Sequence, residues 1–583
     1  MAQEIKSITL VAPAFKGINT EDSPLAQDPS FAESADNAII DKRGRIAARK
    51  GLSVLTTDKT ELGTGNLRAI KEFRDNLGNT KIFSVGNNKI LSGTTVLADE
   101  TPGSYTITSD NWKIVNFNDN VYFFQRGYEP LVYNNTGGAV VKLSTVAGAA
   151  GVVAAMYGNE VLAAYGRLWT ADFTTDKSTV YWSDLLIGHD WTGGTSGSIN
   201  LSKVWPDGFD EIVALAAHNN LLIIFGKHSI VVYEGADSPA TMRLVDTIAG
   251  VGCVDRDTVQ YTGTDVLFLS QTGLRSFGRT VQEKSMPMSS LSGTITTDII
   301  RLIRETGEIF RSVYHPEESF YLITFTNQAI TFCFDVRGTL ENGAYRVTRW
   351  PGTGFTCYGR KDNGDLLIGS RFGIGQYTGY KDNSLPYRFK YFSPELTFGD
   401  ASKLKFLKRL RPTLVGGSGA DAIFTWSYDF GTLFSSAEVG IRSQGRSDFN
   451  LSEYPVYSEL SGYGISSTGD VDIGEVVVVN KFLGDFTSTP TIGSGGGALL
   501  EGDSYFDTAA DIFYVYISSA FVDLDTLVPA SVGEFSDGEL VSRNAINANG
   551  SGSTITIGLE ADINGHELSI QDINVLALIG KTL

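Results

Sequence analysis

The chain has 583 residues, 42% of them hydrophobic and 19% charged, with a formal net charge of -19 and with 64 glycines beside 24 tyrosines and 33 phenylalanines. This length exceeds one typical core, so two or three domains are expected, and frequent glycine with frequent aromatics points to short strands and tight turns. Three widely separated cysteines (Cys253, Cys333, Cys357) and five scattered histidines provide neither a disulfide framework nor metal-ligand spacing, and no run of about 18 apolar residues marks a membrane span.

The opening stretch "MAQEIKSITLVAPAF" lacks the charged and then apolar regions of a secretory leader, so folding in a cytoplasm is expected. Residues 1–58 read as an N-terminal β segment. Within them "DNAIIDKRGRIAARKG" gathers Lys42, Arg43, Arg45, Arg49 and Lys50 into one short span. Ile39, Ile40 and Ile46 predict a strand, a turn at Lys42-Arg43-Gly44 and a returning strand.

From about residue 59 to 392 a pattern recurs: an alternating apolar strand, a turn rich in Asn, Asp or Gly, a very apolar strand, a second turn, and a strand ending in an aromatic. Its best copies start at Trp112, Glu211 and Asp257, with weaker ones near Ala69, Ala154, Phe310 and Gly354. Spacings of roughly 40 to 60 residues suit the four-stranded blades of a β-propeller, here of six or seven blades. A single blade cannot bury both faces; a closed ring of blades can. The segment "TTDIIRLIRETGEIF" predicts a helix between blades, capped by Thr297 or Asp298 and ended by Gly307. "VYWSDLLIGHDWTGG" (180–194) is similar to the YWTD repeat of receptor propellers but occurs once, so Trp182 and Trp191 are expected to pack locally.

Residues 393–583 read as a C-terminal β-sandwich-like domain. "KLKFLKRLRPTLVGG" followed by "DAIFTWSYDFG" predicts its opening hairpin, and a long Gly/Ser/aromatic-rich excursion at about 450–535 predicts an insertion. The charge is divided along the same line: residues 412–583 hold about 23 Asp and Glu against 5 Lys and Arg, while the remainder is almost neutral. Such asymmetry suits surfaces that meet different surroundings. A second basic cluster, Lys403, Lys405, Lys408, Arg409 and Arg411, stands just before the acidic third.

Little in the chain points to catalysis. No G-x-S-x-G elbow and no sialidase Asp-box is present; "GSGGG" (493–497) lacks the Gly-Lys-Ser/Thr ending of a phosphate loop, and Asp470, Asp472 and Glu475 lack calcium-loop spacing. The expectation is a protein with no enzymatic activity, no cofactor and no bound metal. The two basic clusters read either as solvated charges on surface strands or as contacts to a nucleic-acid backbone, where cations act without reading sequence.

The order of several loose motifs carries a resemblance. "PAFKGINTEDSPLAQDP", "SADNAIIDKRGRIAARKG", "VYWSD", "NNLLIIFGKHSIVVYEG", "VGCVDRDTV", "VLFLSQTGL" and the ending "GHELSIQDINVLALIGK" together resemble the nozzle proteins of short-tailed bacteriophages, also called tail tubular protein B or packaged-DNA stabilisation protein. The resemblance implies a homohexameric virion tube assembled in the bacterial host cytoplasm. It also implies contacts to a tail adaptor, to tail fibre or tailspike and to needle or tip proteins, and non-specific contact with viral double-stranded DNA that is retained and then conducted at ejection. In that setting the Lys42–Lys50 knot is expected first to tie neighbouring subunits together and only second to touch phosphates. The alternatives are a receptor- or glycan-binding propeller adhesin and, behind it, a glycan-degrading propeller enzyme.

Overall fold

The computed structural model describes residues 4–11, 14–103, 105, 107, 111–283, 290–417, 420–441, 481–491, 498–500, 503–509, 512–517, 520–523 and 541–582. The described chain is all-β and forms two compact units, residues 1–440 with 543–583, and residues 441–542.

The repeat read from the sequence is a propeller. First strands of successive blades begin at Leu67, Lys113, Glu160, Ile212, Gln260, Phe310 and Cys357, close to the seven expected starts. Among the described residues six blades are four-stranded and the fifth has three strands (Gln260–Tyr261, Val266–Ser270, Gly273–Ser276). After Ser276 the chain turns into the helix Phe277–Glu283. Asparagine-rich turns close hairpins within the blades: Asn87-Asn88, Asn118-Asp119 and Asn219-Asn220 are two-residue loops with positive φ at both positions, as the I′ turn requires.

The core lies between blades. Phe73, Phe83 and Val85 of the first blade pack on Trp112, Phe123 and Tyr133 of the second. Trp169 and Trp182 of the third pack on Leu222, Ile224 and Tyr233 of the fourth. Trp182 and Trp191 are both buried, Trp182 at 5.3 Å from Trp169 and Trp191 edge-on to Phe124, which matches the local packing expected of them. The three thiols are buried and free.

Both expected domain boundaries are crossed. Leu52–Val54 pairs with Gly373–Tyr377 as the outer strand of the last blade, so part of the N-terminal segment closes the ring. Tyr387–Phe392, expected at the end of the propeller, pairs instead with Ile555–Ile563. It belongs to a nine-stranded sheet in which the sixth blade continues through Ser34–Asp36 and Tyr387–Phe392 to Ile555–Ile563, Ala420–Tyr428 and Ser435–Ile441. Gly17 secures the entry of this N-terminal segment: its φ is +93°, and a Cβ there would stand 2.6 Å from the Val347 amide nitrogen on the outer strand of blade six.

The expected opening hairpin does not form. Lys403–Gly416 pairs with Leu568–Thr582, whereas Ala420–Tyr428 pairs with Ile555–Ile563 in the other sheet, so the chain changes sheets at both 416–420 and 563–568. Glu4–Leu10 and the hairpin Ala38–Ile40/Ile46–Ala48 also join Leu568–Thr582. Apolar side chains on that long strand alternate through Leu568 and Ile570, with Ser569 buried between them; the register slips at a bulge opposite Thr413/Leu414, and alternating burial follows at Ile573, Val575 and Ala577.

The expected helix is shorter, Thr296–Ile303, and ends before Gly307. Neither Thr297 nor Asp298 caps it. Ile295 takes the cap position, and the Thr297 N–H donates to the Glu21 carboxylate, a capping group supplied from 276 residues away.

In the second unit the strands Lys481–Phe486, Asp503–Asp507, Ile512–Ile517 and Ala520–Asp523 form one sheet. Tyr505 is buried there, stacked on Tyr514 at 5.2 Å and edge-on to Phe521 at 4.8 Å. Asp470, Asp472, Glu475 and the "GSGGG" stretch lie outside the described residues.

Candidate functional site

The first basic cluster is a hairpin whose charges turn mostly inward. Asp41 Oδ1 accepts from the Arg43 and Arg45 amides, and its Oδ2 accepts from Arg45 Nε at 2.6 Å. Arg49, 3% exposed, makes a two-pronged pair with Asp382 at 2.9 and 2.6 Å and donates from Nε to Asn37. Its guanidinium also lies over Tyr387 at 4.3 Å and Trp350 at 5.5 Å. Burial works against this charge, and the Asp382 carboxylate outweighs it, holding the Arg49 pKa above the ordinary value. Lys50 pairs with Glu318 at 2.7 Å. Arg45 and Arg49 are therefore buried in pairs within the chain, a correction to their reading as subunit or DNA contacts, while Lys50 is half-buried in its own pair. Lys42 and Arg43, at the turn, are exposed.

The second cluster is split by bulges in Lys403–Gly416, at Lys403/Lys405 and Leu407/Arg409. Lys405 is fully buried and its ammonium donates to the Asp400 and Ser553 carbonyls; burial lowers its pKa. It too leaves the set of outward contacts. Lys403 stands 3.3 Å from Asp400, while Lys408, Arg409 and Arg411 are exposed, with Arg409 Nε donating to Asn547 at 3.3 Å.

A third concentration of cations stands on the propeller axis. At the amino ends of the first strands Lys113 pairs with both oxygens of Glu160, at 2.6 and 2.7 Å, and Glu160 also accepts the Leu215 amide of the next blade. Burial pushes the Glu160 pKa up against these partners. Arg256, 4% exposed, reaches from the fifth blade to the second: its Nη2 donates to the Asn111 side chain at 2.9 Å and to the Trp112 carbonyl at 3.1 Å. Arg311 joins Asp257 at 2.8 Å and the Thr356 carbonyl at 2.9 Å. Burial and then the nearby Asp257 raise Asp255 to about 6. Burial alone would raise Asp257 as well, but Arg256 and Arg311 leave it below the ordinary carboxylate range.

Beyond this network a cavity of about 840 Å³ opens toward the carboxyl ends of the first strands, at Glu72, Asn116, Gly263, Pro316 and Gly364. Its walls hold Arg68, Lys71, Arg360 and Lys361 besides the network residues, with Tyr261, Tyr314 and Tyr358 between them. Reading the sequence for cation runs misses this site, because its members are spread over almost 300 residues. One signal was present: the first strand of four repeat units carries a cation, Lys71 in "AIKEF", Lys113 in "WKIVNF", Arg311 in "FRSVYH" and Arg360 in "CYGRK". Among the described residues no group of three or more His, Cys, Asp or Glu side chains converges to hold a metal ion.

No protein-family model matches the chain, and no curated protein matches it. Among solved structures it is similar to a streptogramin B lyase (9% identity, 56% of this chain and 97% of that chain, TM-score 0.33). It is also similar to the computationally designed Ika8 protein (12% identity, 57% of this chain and 100% of that chain, TM-score 0.31). The extracellular domain of the putative one component system BT4673 from B. thetaiotaomicron covers more of it (9% identity, 82% of this chain but 53% of that chain, TM-score 0.37). Likenesses at this level concern the fold and nothing of the chemistry.

Proposed function

We propose that this chain is a structural virion protein of a short-tailed bacteriophage: a tail nozzle subunit that assembles as a hexameric tube, retains packaged DNA and conducts it at ejection. The observation that best supports this reading is the joint between the propeller and the rest of the first unit. The sixth blade runs through Ser34–Asp36 and Tyr387–Phe392 into the C-terminal strands as one hydrogen-bonded sheet. A propeller mounted this way cannot swing on a linker, which suits a subunit that must keep its place in a load-bearing ring. The exposed Lys408, Arg409 and Arg411 lie on a strand of the same body and supply candidate contacts to a neighbouring subunit or to phosphate.

The charge division fits a conduit. Each firm phosphate contact adds salt-sensitive affinity, and many together would stall a moving duplex. An acidic wall with isolated basic rings keeps DNA centred, and the net charge near -18 of residues 412–583 can supply that wall. The reading is tested by electron microscopy of the purified protein, alone and with candidate adaptor proteins. A six-fold ring with a central pore lined by the acidic third is the expected result; a monomer that binds or cleaves polysaccharide, or a ring with that third facing outward, defeats it.

A further inference from the structure

The axial cavity is a charge anomaly in an acidic protein. Seven cationic side chains line it against three carboxylates. Most of these cations are answered: Lys113 by Glu160, Arg311 by Asp257, Lys361 by Asp365. Lys71 and Arg360 are not. Among the described residues neither has a carboxylate at ion-pair distance; Arg360 makes only a long contact, 3.5 Å, to the Tyr314 carbonyl. They stand on the first strands of adjacent blades, Leu67–Arg74 and Cys357–Arg360. Burial, and then repulsion from Arg360, pulls the Lys71 pKa down, with Glu72 and Asp362 at the mouth opposing only in part. Lys71 is half-buried and Arg360 exposed toward the cavity mouth, and two neighbouring like charges repel unless an anion joins them.

The form of the cavity limits what that anion can be. Its inner end is crossed by Arg256, bonded from the fifth blade to Asn111 and Trp112 of the second, so a polymer cannot thread it. Arg256 Nη1 is itself buried there without a hydrogen-bond partner. A volume of about 840 Å³ is that of a small-ligand pocket. A guanidinium fork beside an ammonium matches the oxygens of carboxylate, sulfate or phosphate groups, and Tyr261, 55% exposed at the rim, offers a flat face to a ring. We propose that the propeller axis binds a small ring-bearing ligand with two or more oxyanion groups, held by Lys71 and Arg360 and flanked by Tyr261.

Calorimetric titration of the intact chain at low salt, with trigalacturonate, ATP and the neutral maltotriose as probes, tests this. Saturable binding of at least one polyanion, weakening as salt rises, with none of maltotriose, is expected, and whichever polyanion binds assigns the oxyanion to an acidic sugar or to a phosphate ester. Lys71→Met and Arg360→Gln should each weaken that binding about tenfold or more, the loss of one charge-assisted contact, while alanine at Lys203, an exposed cation outside the cavity, leaves it unchanged. Ligand-free Lys71→Met should also melt at a higher temperature, because it removes the repulsion. Failure of both polyanions to bind, binding indifferent to both substitutions, or a lower melting temperature for Lys71→Met would each overturn the proposal.

Discussion

The hairpin around Lys42–Lys50 and the propeller axis hold cations in opposite ways. In the hairpin five cations are adjacent in sequence, yet Asp41, Asp382 and Glu318 neutralise three of them. On the axis the cations come from five blades spread over nearly 300 residues, yet they share one cavity and two of them lack a carboxylate partner among the described residues. Cation density along a chain is therefore a poor guide to positive potential in space. What matters is whether the fold brings carboxylates or further cations within a few ångströms.

This comparison can be broken most forcefully at Arg49. Arg49→Ala removes the two-pronged pair with Asp382 and the contacts over Tyr387 and Trp350, and should destabilise the first unit by about 3 kcal/mol in chemical denaturation. A loss below about 1 kcal/mol would mean that the hairpin cations are not structural after all. Next comes Glu160→Gln on the axis, which keeps a hydrogen-bond acceptor for Leu215 but deprives Lys113 of its counter-charge; about 2 kcal/mol is expected in the same assay.

A separate effect should appear as pH dependence. Asp255 has a folded-state pKa of about 6, above the ordinary value of 3.8, so it binds its proton more tightly in the folded protein. Its contribution to stability is present in full below about pH 4 and is lost as pH rises through about 6. Asp255→Asn should flatten that part of the thermal-stability profile while keeping an oxygen to accept the Asp257 amide; an unchanged profile would place the titration elsewhere. The smallest stability effect is expected at the exposed cations. Alanine at Lys408, Arg409 and Arg411 should change folding stability by no more than about 0.5 kcal/mol each, while lowering the yield of rings in sedimentation if the nozzle reading holds.

Much of the propeller was legible along the chain. The Asn-Asn and Asn-Asp pairs select I′ turns, and the apolar alternation on either side places the strands, so the seven repeat starts could be read within a few residues. Closure of the ring could not be read, because Leu52–Val54 is three residues with no periodicity of its own and becomes a strand only beside Gly373–Tyr377. The sheet change between Lys403–Gly416 and Ala420–Tyr428 was hidden for a related reason. Alternation tells which side chains are buried and is silent about which strand lies alongside, so two successive strands resemble a hairpin whether or not they pair. Of the candidate site residues, the exposure of Lys408, Arg409 and Arg411 could be expected, whereas the burial of Lys405 depends on a bulge that shifts it to the inner face.

By itself, the sequence determined the repeat, its turns and the acidity of the last third, because each depends on local backbone preference, side-chain polarity or simple composition. Only the tertiary structure decided which cations are neutralised and which are gathered. Arg49 meets Asp382 across 333 residues, and Lys71 meets Arg360 from the far side of the ring's closure. Coulomb energy follows distance in space, and those distances exist only once the blades have closed.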